Sequence, residues 1–319
     1  MDIIKKLVSL KCRYPRAVLA MGNFDGMHVG HKKIIDRVIE EAKKINGTSI
    51  VLTFTPHPVK VLKPEVTDLL LTSEEHKIKL IEETGIDVCI SIDFASIADM
   101  KSEEFVSEVL CNYLHVQKIF VGFNYRFGVG QHGDAKLLKQ MGEKNNFSVE
   151  IIKPVKVSGE VVSSTKVRKY IKGGNLDKTA ELLGRRYSVM GSVSKGRGIS
   201  RDIDFPTANI YCDIEVTPPE GVYAAYAIIH INNKPLICKA VLDARKQKNK
   251  FFLEVYIFDI KTDLYGKIIE VFFVEKLRDR RKFHCRQDAK KQIICDETQA
   301  RKILKKALHT NTAVLQSNR

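Results

Sequence analysis

Tryptophan is absent from the 319 residues, and none of the seven cysteines stands in a CxxC pair. The cysteines (Cys12, Cys89, Cys111, Cys212, Cys238, Cys285 and Cys295) are odd in number and scattered. That pattern argues against a disulfide framework or a zinc site and is expected of reduced thiols in a cytoplasmic protein. No apolar run approaches the ~18 residues of a membrane span, so no membrane partner is expected. The opening stretch MDIIKKLVSLKCRYP is no secretory signal, because Lys5, Lys6 and Lys11 break its apolar core and no small-residue cleavage site follows. Internal repeats and low-complexity segments are absent as well.

What is present is ample for folding. A hydrophobic content of 44% excludes wholesale disorder, and 319 residues suggest about two domains. The net charge of +15 is uneven. From Arg185 onward there are 26 Lys and Arg against 15 Asp and Glu, hence +11, which leaves +4 for the first 184 residues. A basic surface attracts nucleic acid, nucleotides or phosphorylated metabolites, and charge alone does not choose among them.

The first half alternates short apolar runs with helical patterns. Strands are predicted at Ala17–Met21, Ser49–Phe54, Val88–Phe94, Lys118–Phe123 and Ser148–Val155. Between His31 and Ile45 the apolar residues Ile34, Ile35, Val38, Ile39, Ala42 and Ile45 form one helical stripe. Ser73–Glu83 and Ser102–Leu114 read as helices that open with serine and acids. Such alternation implies a parallel sheet. After about Gly184, strand candidates follow one another at Tyr187–Ser194, Gly221–Ile231, Pro235–Leu242, Phe251–Ile260 and Lys267–Val274, then a basic helix over Arg286–Leu308. That order suggests an antiparallel barrel or sandwich. The expected division is 1–184 and 185–319.

One cluster of residues carries chemistry at the first junction. GNFDGMHVGH, Gly22–His31, lies between the first of these strands and the amphipathic helix. Gly22, Gly26 and Gly30 let backbone turn tightly and approach a phosphate. The N–H groups and dipole of the helix start favour an anion. His28 and His31, three apart, share a face there and would stabilise charge developing on a polyphosphate. Two histidines alone make a poor metal site.

GNFDGMHVGH resembles the GxFDGxHxGH signature of the prokaryotic bifunctional FAD synthetases, which are riboflavin kinase/FMN adenylyltransferases of the HxGH nucleotidyltransferase group. Phe54-Thr55-Pro56-His57-Pro58 looks like the FxPHP motif of that family. GFNYRFGVGQHGD (Gly122–Asp134) looks like its GxxFRFGxxxxGD loop, and Ser163–Arg168 like its SSTxIR motif. The resemblance spans residues 15–170. It implies that His28 and His31 act catalytically on ATP phosphates, with Gly22, Asn23, Phe24, Gly26 and Gly30 around them. Ser164, Thr165 and Arg168 are implied as a second phosphate clamp; read without the family, SSTKVR is a helix N-cap. Phe54, Pro56, His57, Pro58, Asn124 and Arg126 are implied at the flavin or nucleotide, although Asn124 and Arg126 also suit a plain surface hairpin. The implied reaction is attack of the FMN phosphate on the α-phosphorus of ATP, giving FAD and pyrophosphate, with Mg2+ held mainly by phosphates.

In the second half FPTAN, Phe205–Asn209, resembles the flavokinase motif GFPTAN, which implies Thr207 and Asn209 as holders of Mg-ATP. Glu254 stands alone in the apolar run FFLEVYIF, where a buried carboxylate needs a partner or a function. The family position is the general base that takes the proton of the riboflavin ribityl hydroxyl. Glu270, in IIEVFFV, has the same pattern and no expected role. DLYG, Asp263–Gly266, and Leu277–Phe283 match further family segments, so this resemblance covers about 184–305. The stretch departs from the family at Ser200 and Asp204, which replace glycines of GRxLGFPTAN, and at Leu242–Asn249, which lacks a GxRPTF segment.

The fold implied is thus an α/β Rossmann-like parallel-sheet nucleotidyltransferase domain, then an antiparallel β-barrel flavokinase-like domain with a C-terminal helix. The adenylyltransferase is expected intact, and the kinase is as readily weakened or lost as working. The alternative is a monofunctional adenylyltransferase whose barrel is a flavin-binding regulatory module. Other HxGH substrates (pantetheine phosphate, nicotinamide mononucleotide, glycerol phosphate) fit less well beside a flavokinase-like half. No RNP, zinc-finger or helix-turn-helix signature supports nucleic acid as a partner. Partners are therefore small-molecule substrates, with a homo-oligomer left open.

Overall fold

The computed structural model describes residues 1–6, 14–194, 205–231, 234–247, 250–260, 262–283 and 285–310. Ser200 and Asp204, the two glycine replacements, lie outside the described residues. The chain divides into two compact units, Met1–Thr67 with Glu74–Ser164, and Asp68–Ser73 with Thr165–Arg319.

In the first unit six strands form one wholly parallel sheet: β1 (Asp2–Ile4), β2 (Ala17–Met21), β3 (Thr48–Thr55), β4 (Val88–Asp93), β5 (Val116–Gly122) and β8 (Ser148–Ile152). Their order is β1-β4-β3-β2-β5-β8. All five residues of β2 are buried, as a strand covered on both faces must be. Leu19, Met21, Ile50 and Leu52 pack with Phe105, Val109 and Leu138 on one face. Val18, Ala20 and Val51 pack with Ile34, Ile35, Val38 and Leu80 on the other. The covering helices are α1 (Val29–Lys44), α3 (Glu74–Glu82), α4 (Ser102–Glu104, continued as a π-helix over Phe105–Tyr113) and α5 (Ala135–Lys144). Short α2 (Pro58–Leu62) follows β3. A two-stranded ribbon, β6 (Arg126–Phe127) with β7 (Gly133–Asp134), follows β5; a second ribbon pairs β9 (Lys156–Val157) with β10 (Glu160–Val161).

The topology locates a crevice. From β2 the chain moves to β3 and β4 on one side, then returns to place β5 on the other side of β2. The carboxyl ends of β2 and β5 therefore form the switch point at which open α/β sheets bind ligands. GNFDGMHVGH leaves β2 at that point, and GFNYRFG begins at the end of β5.

Besides Asp68–Ser73, the second unit contains α6 (Ser164–Lys172, whose first residue belongs to the first unit) and α7 (Leu176–Leu183). A closed antiparallel barrel follows: β11 (Ser188–Ser194), β12 (Thr207–Cys212), β13 (Gly221–Ile231), β14 (Lys234–Gln247), β15 (Lys250–Ile257) and β16 (Ile268–Arg278), in the order β11-β12-β15-β14-β13-β16. Leu242, Ala244, Leu253 and Val255 fill its inside. The C-terminal helix α8 (Arg286–Thr310) lays Ala300 and Leu304 on the outer face, against Val222, Tyr226, Val241 and Phe272. Arg278 grips buried Asp296 of α8 with two nitrogens, Nε at 2.9 Å and Nη2 at 2.7 Å. The fold class expected from sequence holds in both units. Sequence patterning missed β12, stopped β14 five residues short, and read one α-helix where a π-helix runs.

Candidate active site

In the first unit the turn from Gly22 to His28 is held in left-handed backbone at three residues, Phe24 (φ 50°), Gly26 (φ 77°) and Met27 (φ 38°). Only glycine adopts that region without cost; each of the other two costs on the order of 1 kcal/mol. The turn is fixed from below, where Gly22 N–H donates to Leu52 O at 3.2 Å and Thr53 Oγ1 donates to Asn23 O at 3.1 Å. Ser164 Oγ donates to Asp25 O at 3.3 Å.

His28 caps α1: its Nδ1 accepts the His31 N–H at 3.2 Å. With Nδ1 accepting, the neutral ring carries its proton at Nε2. The rings of His28 and His31 stack at 3.6 Å with an interplanar angle of 15°, and Phe24 meets His31 edge-on at 5.3 Å. A Cβ on Gly30 would come within 3.1 Å of the His28 ring, so the glycine makes room for the stack. The first turn of α1 holds no acid, while Lys43 and Lys44 occupy the last. The positive end of the helix is thus left facing the histidine turn.

FxPHP joins the same turn. His57 Nδ1 accepts the Val59 N–H at 3.2 Å and caps α2, and its Nε2 faces the Asn23 carboxamide at 3.4 Å. Pro56 follows a cis peptide bond and Pro58 opens α2. Phe54 is buried against Phe94 at 5.8 Å. Asn124 is exposed in the turn after β5, and Arg126 is an exposed ribbon residue paired with Asp134 at 3.5 Å. The structure therefore brings His28, His31, Asn23 and His57 together, while Asn124 and Arg126 lie in the turn and ribbon that follow β5.

Lys77, on α3, was not singled out by sequence. It is buried, and its Nζ donates to Phe54 O at 2.9 Å and Thr53 Oγ1 at 3.3 Å. Burial lowers its pKa, opposed by the pull of buried Asp25. Its ammonium thus ties the carbonyl of the FxPHP strand to the hydroxyl that holds Asn23. The signal was present: Lys77, Leu80 and Ile81 share the buried stripe of α3.

Ser164 and Thr165 open α6. In the second unit Thr165 is exposed, and Arg168 Nε donates to Leu69 O at 2.6 Å.

On the barrel, cross-strand register aligns Asn209 with Glu254 and Glu254 with Asp243 on β12, β15 and β14. Val241, two residues before Asp243, belongs to the outer cluster with α8, so this row lies on the outer face. One row along, Thr207 aligns with Tyr256. Thr207 also lines a cavity of about 340 Å³ with Pro206, Val255, Asp263 and Tyr265, which brings the PTAN strand and the DLYG turn together. Glu254 is half-buried: its Oε1 accepts from Arg245 Nη2 at 2.7 Å. The burial argument applies instead to Glu270, the carboxylate without an expected role, which is 4% exposed and accepts from Ser188 Oγ at 2.7 Å.

The described part of Leu242–Asn249 is strand, and β14 is paired with β15 residue by residue from Ala240↔Ile257 to Gln247↔Lys250. Among the described residues no group of three or more His, Cys, Asp and Glu is placed to hold a metal ion, no helix is long and apolar enough to cross a membrane, and six cysteines are free thiols.

Comparisons with known proteins agree with both halves. The FAD synthetase family model matches residues 11–166 and the riboflavin kinase model residues 183–304. A bifunctional riboflavin kinase/FMN adenylyltransferase of Buchnera aphidicola (Acyrthosiphon pisum) is 34% identical over 93% of this chain and 96% of its own. The protein of that name from Escherichia coli K12 is 33% identical over 89% and 91%. A solved structure described as a macrolide-efflux protein from Streptococcus pneumoniae superposes with a TM-score of 0.78 at 26% identity, over 94% of this chain and 98% of that one.

Proposed function

The chain belongs to the family of bifunctional riboflavin kinase/FMN adenylyltransferases, and from that premise we propose which residues serve each of its two reactions. Both enzymatic halves are present. Residues 1–184 transfer AMP from ATP to FMN, giving FAD and pyrophosphate. Residues 185–319 carry the riboflavin kinase step, riboflavin and ATP to FMN and ADP.

The observation that carries the first assignment is the stacked His28–His31 pair at the positive end of α1, on the switch point of the sheet. The FMN phosphate is already an anion, so the attack on the α-phosphorus needs no proton removed. What it needs is alignment and stabilisation of the charge that builds on the leaving pyrophosphate. His28 and His31, with protons on ring nitrogens, supply donors there. Ser164, Thr165 and Arg168 are assigned a phosphate-binding role by resemblance, and Asn23, His57, Asn124 and Arg126 a role at the flavin nucleotide.

In the barrel Glu254 takes the ribityl hydroxyl proton, with Thr207 and Asn209 at the nucleotide. Both of those side chains offer oxygen donors, which suit Mg2+. When bound, that ion would offset phosphate charge. Free thiols and phosphorylated substrates support a cytoplasmic location.

The test is direct. Incubate the chain with Mg-ATP and either FMN or riboflavin, then separate the flavins by chromatography. FAD forms from FMN, and His31→Ala lowers that rate by about 10²–10³, the size of one lost oxyanion-type donor. A change under twofold removes His31 from the site. We further propose that phosphorylation is slower than adenylylation, because paired strand stands where a GxRPTF segment is expected and Glu254 is ion-paired. Riboflavin turnover comparable to FMN adenylylation would refute this. If the isolated adenylyltransferase half responds differently to flavin than the whole chain does, the barrel acts as a regulatory module.

A further inference from the structure

Asp243 and Glu254 are directly opposite on neighbouring strands. Like charges in that position repel, so something must lie between them. It is Arg245, two residues along β14 on the same face. Its Nη1 donates to Asp243 Oδ2 at 3.1 Å and its Nη2 to Glu254 Oε1 at 2.7 Å. Its guanidinium carbon lies 4.6 Å from the ring centre of Phe252, its own cross-strand partner. Arg280 Nε takes the other Asp243 oxygen at 2.7 Å. Arg245 is thus pinned on three sides, with its side chain only 19% exposed. A guanidinium whose terminal nitrogens are both engaged by carboxylates is poorly placed to clamp a phosphate.

We propose that Arg245 is a built-in brake on the kinase half, holding the Glu254 carboxylate in an ion pair so that riboflavin phosphorylation runs slow. The proposal rests on the reading of Glu254 as the base. In that step the ribityl O–H bond breaks and its proton passes to Glu254. The oxygen forms a bond to the γ-phosphorus of ATP, and the bond from that phosphorus to the bridging oxygen breaks, leaving ADP. An oxygen already engaged by the guanidinium is not free to receive the ribityl hydroxyl, so the ion pair must open before the step can begin. The brake depends on the shape of the hairpin. Because β14 is paired with β15 without a break out to Gln247 and Lys250, Arg245 is kept in register with the base instead of being carried off on a loop.

The experiment uses the full chain and measures kcat and KM for riboflavin phosphorylation, with FMN adenylylation by the same sample as a check on folding. Arg245→Gln raises the phosphorylation kcat by about threefold to tenfold, a fraction of the 10²–10⁴ that a general base contributes. KM for riboflavin stays within twofold, a split that a purely structural strut would not produce. The charge-balanced double variant Asp243→Asn/Arg245→Gln gives the same gain and decides the matter if the single variant misfolds. A kcat that is unchanged or lower in a folded variant overturns the brake and makes Arg245 a strut or a substrate ligand. Glu254→Gln, alone or with Arg245→Gln, abolishes phosphorylation. If Glu254→Gln phosphorylates normally, the assignment of the base fails, and the brake fails with it for that separate reason.

Discussion

Replacing Gly30 with alanine separates folding from chemistry at the first site. The added Cβ would lie 3.1 Å from Cε1 and Nδ1 of His28, closer than carbon and a ring atom ordinarily approach. Either the ring gives way by a few tenths of an ångström, or the first turn of α1 shifts. In both cases the Nδ1 acceptor moves off the His31 N–H, now 3.2 Å away, and the 3.6 Å stack opens. Losing a cap costs about 1 kcal/mol. Exchanging glycine for alanine in a helix returns up to about 1 kcal/mol. The two nearly cancel, so the thermal midpoint of Gly30→Ala stays within a few degrees of the parent. Catalysis has no such compensation. A displacement on the order of 1 Å at a reacting group costs up to ~10²-fold, so a shift of a few tenths predicts a loss of about three- to thirtyfold in FAD formation. The assay is chromatographic separation of FAD from FMN under saturating Mg-ATP, paired with a melting curve. An alanine variant that keeps its melting temperature and makes FAD within twofold of the parent rate would refute the idea that His28 must sit where Gly30 allows it.

Lys77→Met keeps most of the buried volume but leaves Phe54 O and Thr53 Oγ1 without the ammonium. It should lower stability by about 1–3 kcal/mol, the cost of stranding buried polar groups. It should also slow FAD formation through Asn23 and His57, with Lys77→Arg restoring part of the rate; full activity in Lys77→Met would show that this tie positions nothing. Burial raises the Cys89 thiol from 9.0 to about 11 and the Cys212 thiol from 9.0 to about 12. The unfolded chain therefore releases these protons first, and their stabilising contribution, complete below pH 9, is lost as pH rises toward 11–12. Denaturant titrations from about pH 8 to about pH 10.5 should show that decline, and it should flatten in Cys89→Ala/Cys212→Ala; an identical slope would disprove the cause.

The parallel sheet and the first helix were legible because burial leaves a pattern. Ala17–Met21 is apolar throughout, and the stripe of Ile34, Ile35, Val38 and Ala42 is buried as its spacing requires. The histidine turn was legible because it follows that strand and precedes that helix. Strand β12 was missed although Ala208, Ile210 and Cys212 alternate with less buried Thr207, Asn209 and Tyr211. Six residues after a proline gave that alternation little length. The π-helix at Phe105–Tyr113 leaves the same amphipathic trace as an α-helix, so sequence does not separate them. Glu254 and Glu270 look alike because both interrupt apolar strands. Which one is buried depends on what covers the barrel wall, and only three-dimensional packing decides that. The Asp243–Arg245 alternation was visible, but its meaning required the register that sets Glu254 opposite.

The two sites place different demands on the chain, and that difference explains where each is vulnerable. Adenylyl transfer begins from a phosphate that is already charged, and the site proposed for it offers donors: imidazoles, a helix end and backbone N–H groups. The one acid within GNFDGMHVGH, Asp25, is buried, and its carbonyl accepts from Ser164. Such a site would degrade through misplacement, which is why Gly30 and Lys77 are the positions predicted to be sensitive. Riboflavin phosphorylation begins from a neutral hydroxyl, and on the assignment proposed above it needs one carboxylate oxygen open to that hydroxyl. A single neighbouring guanidinium can occupy that oxygen without moving any backbone. On that proposal, slow phosphorylation beside intact adenylylation needs no damage to the barrel, only the guanidinium of Arg245 kept in register.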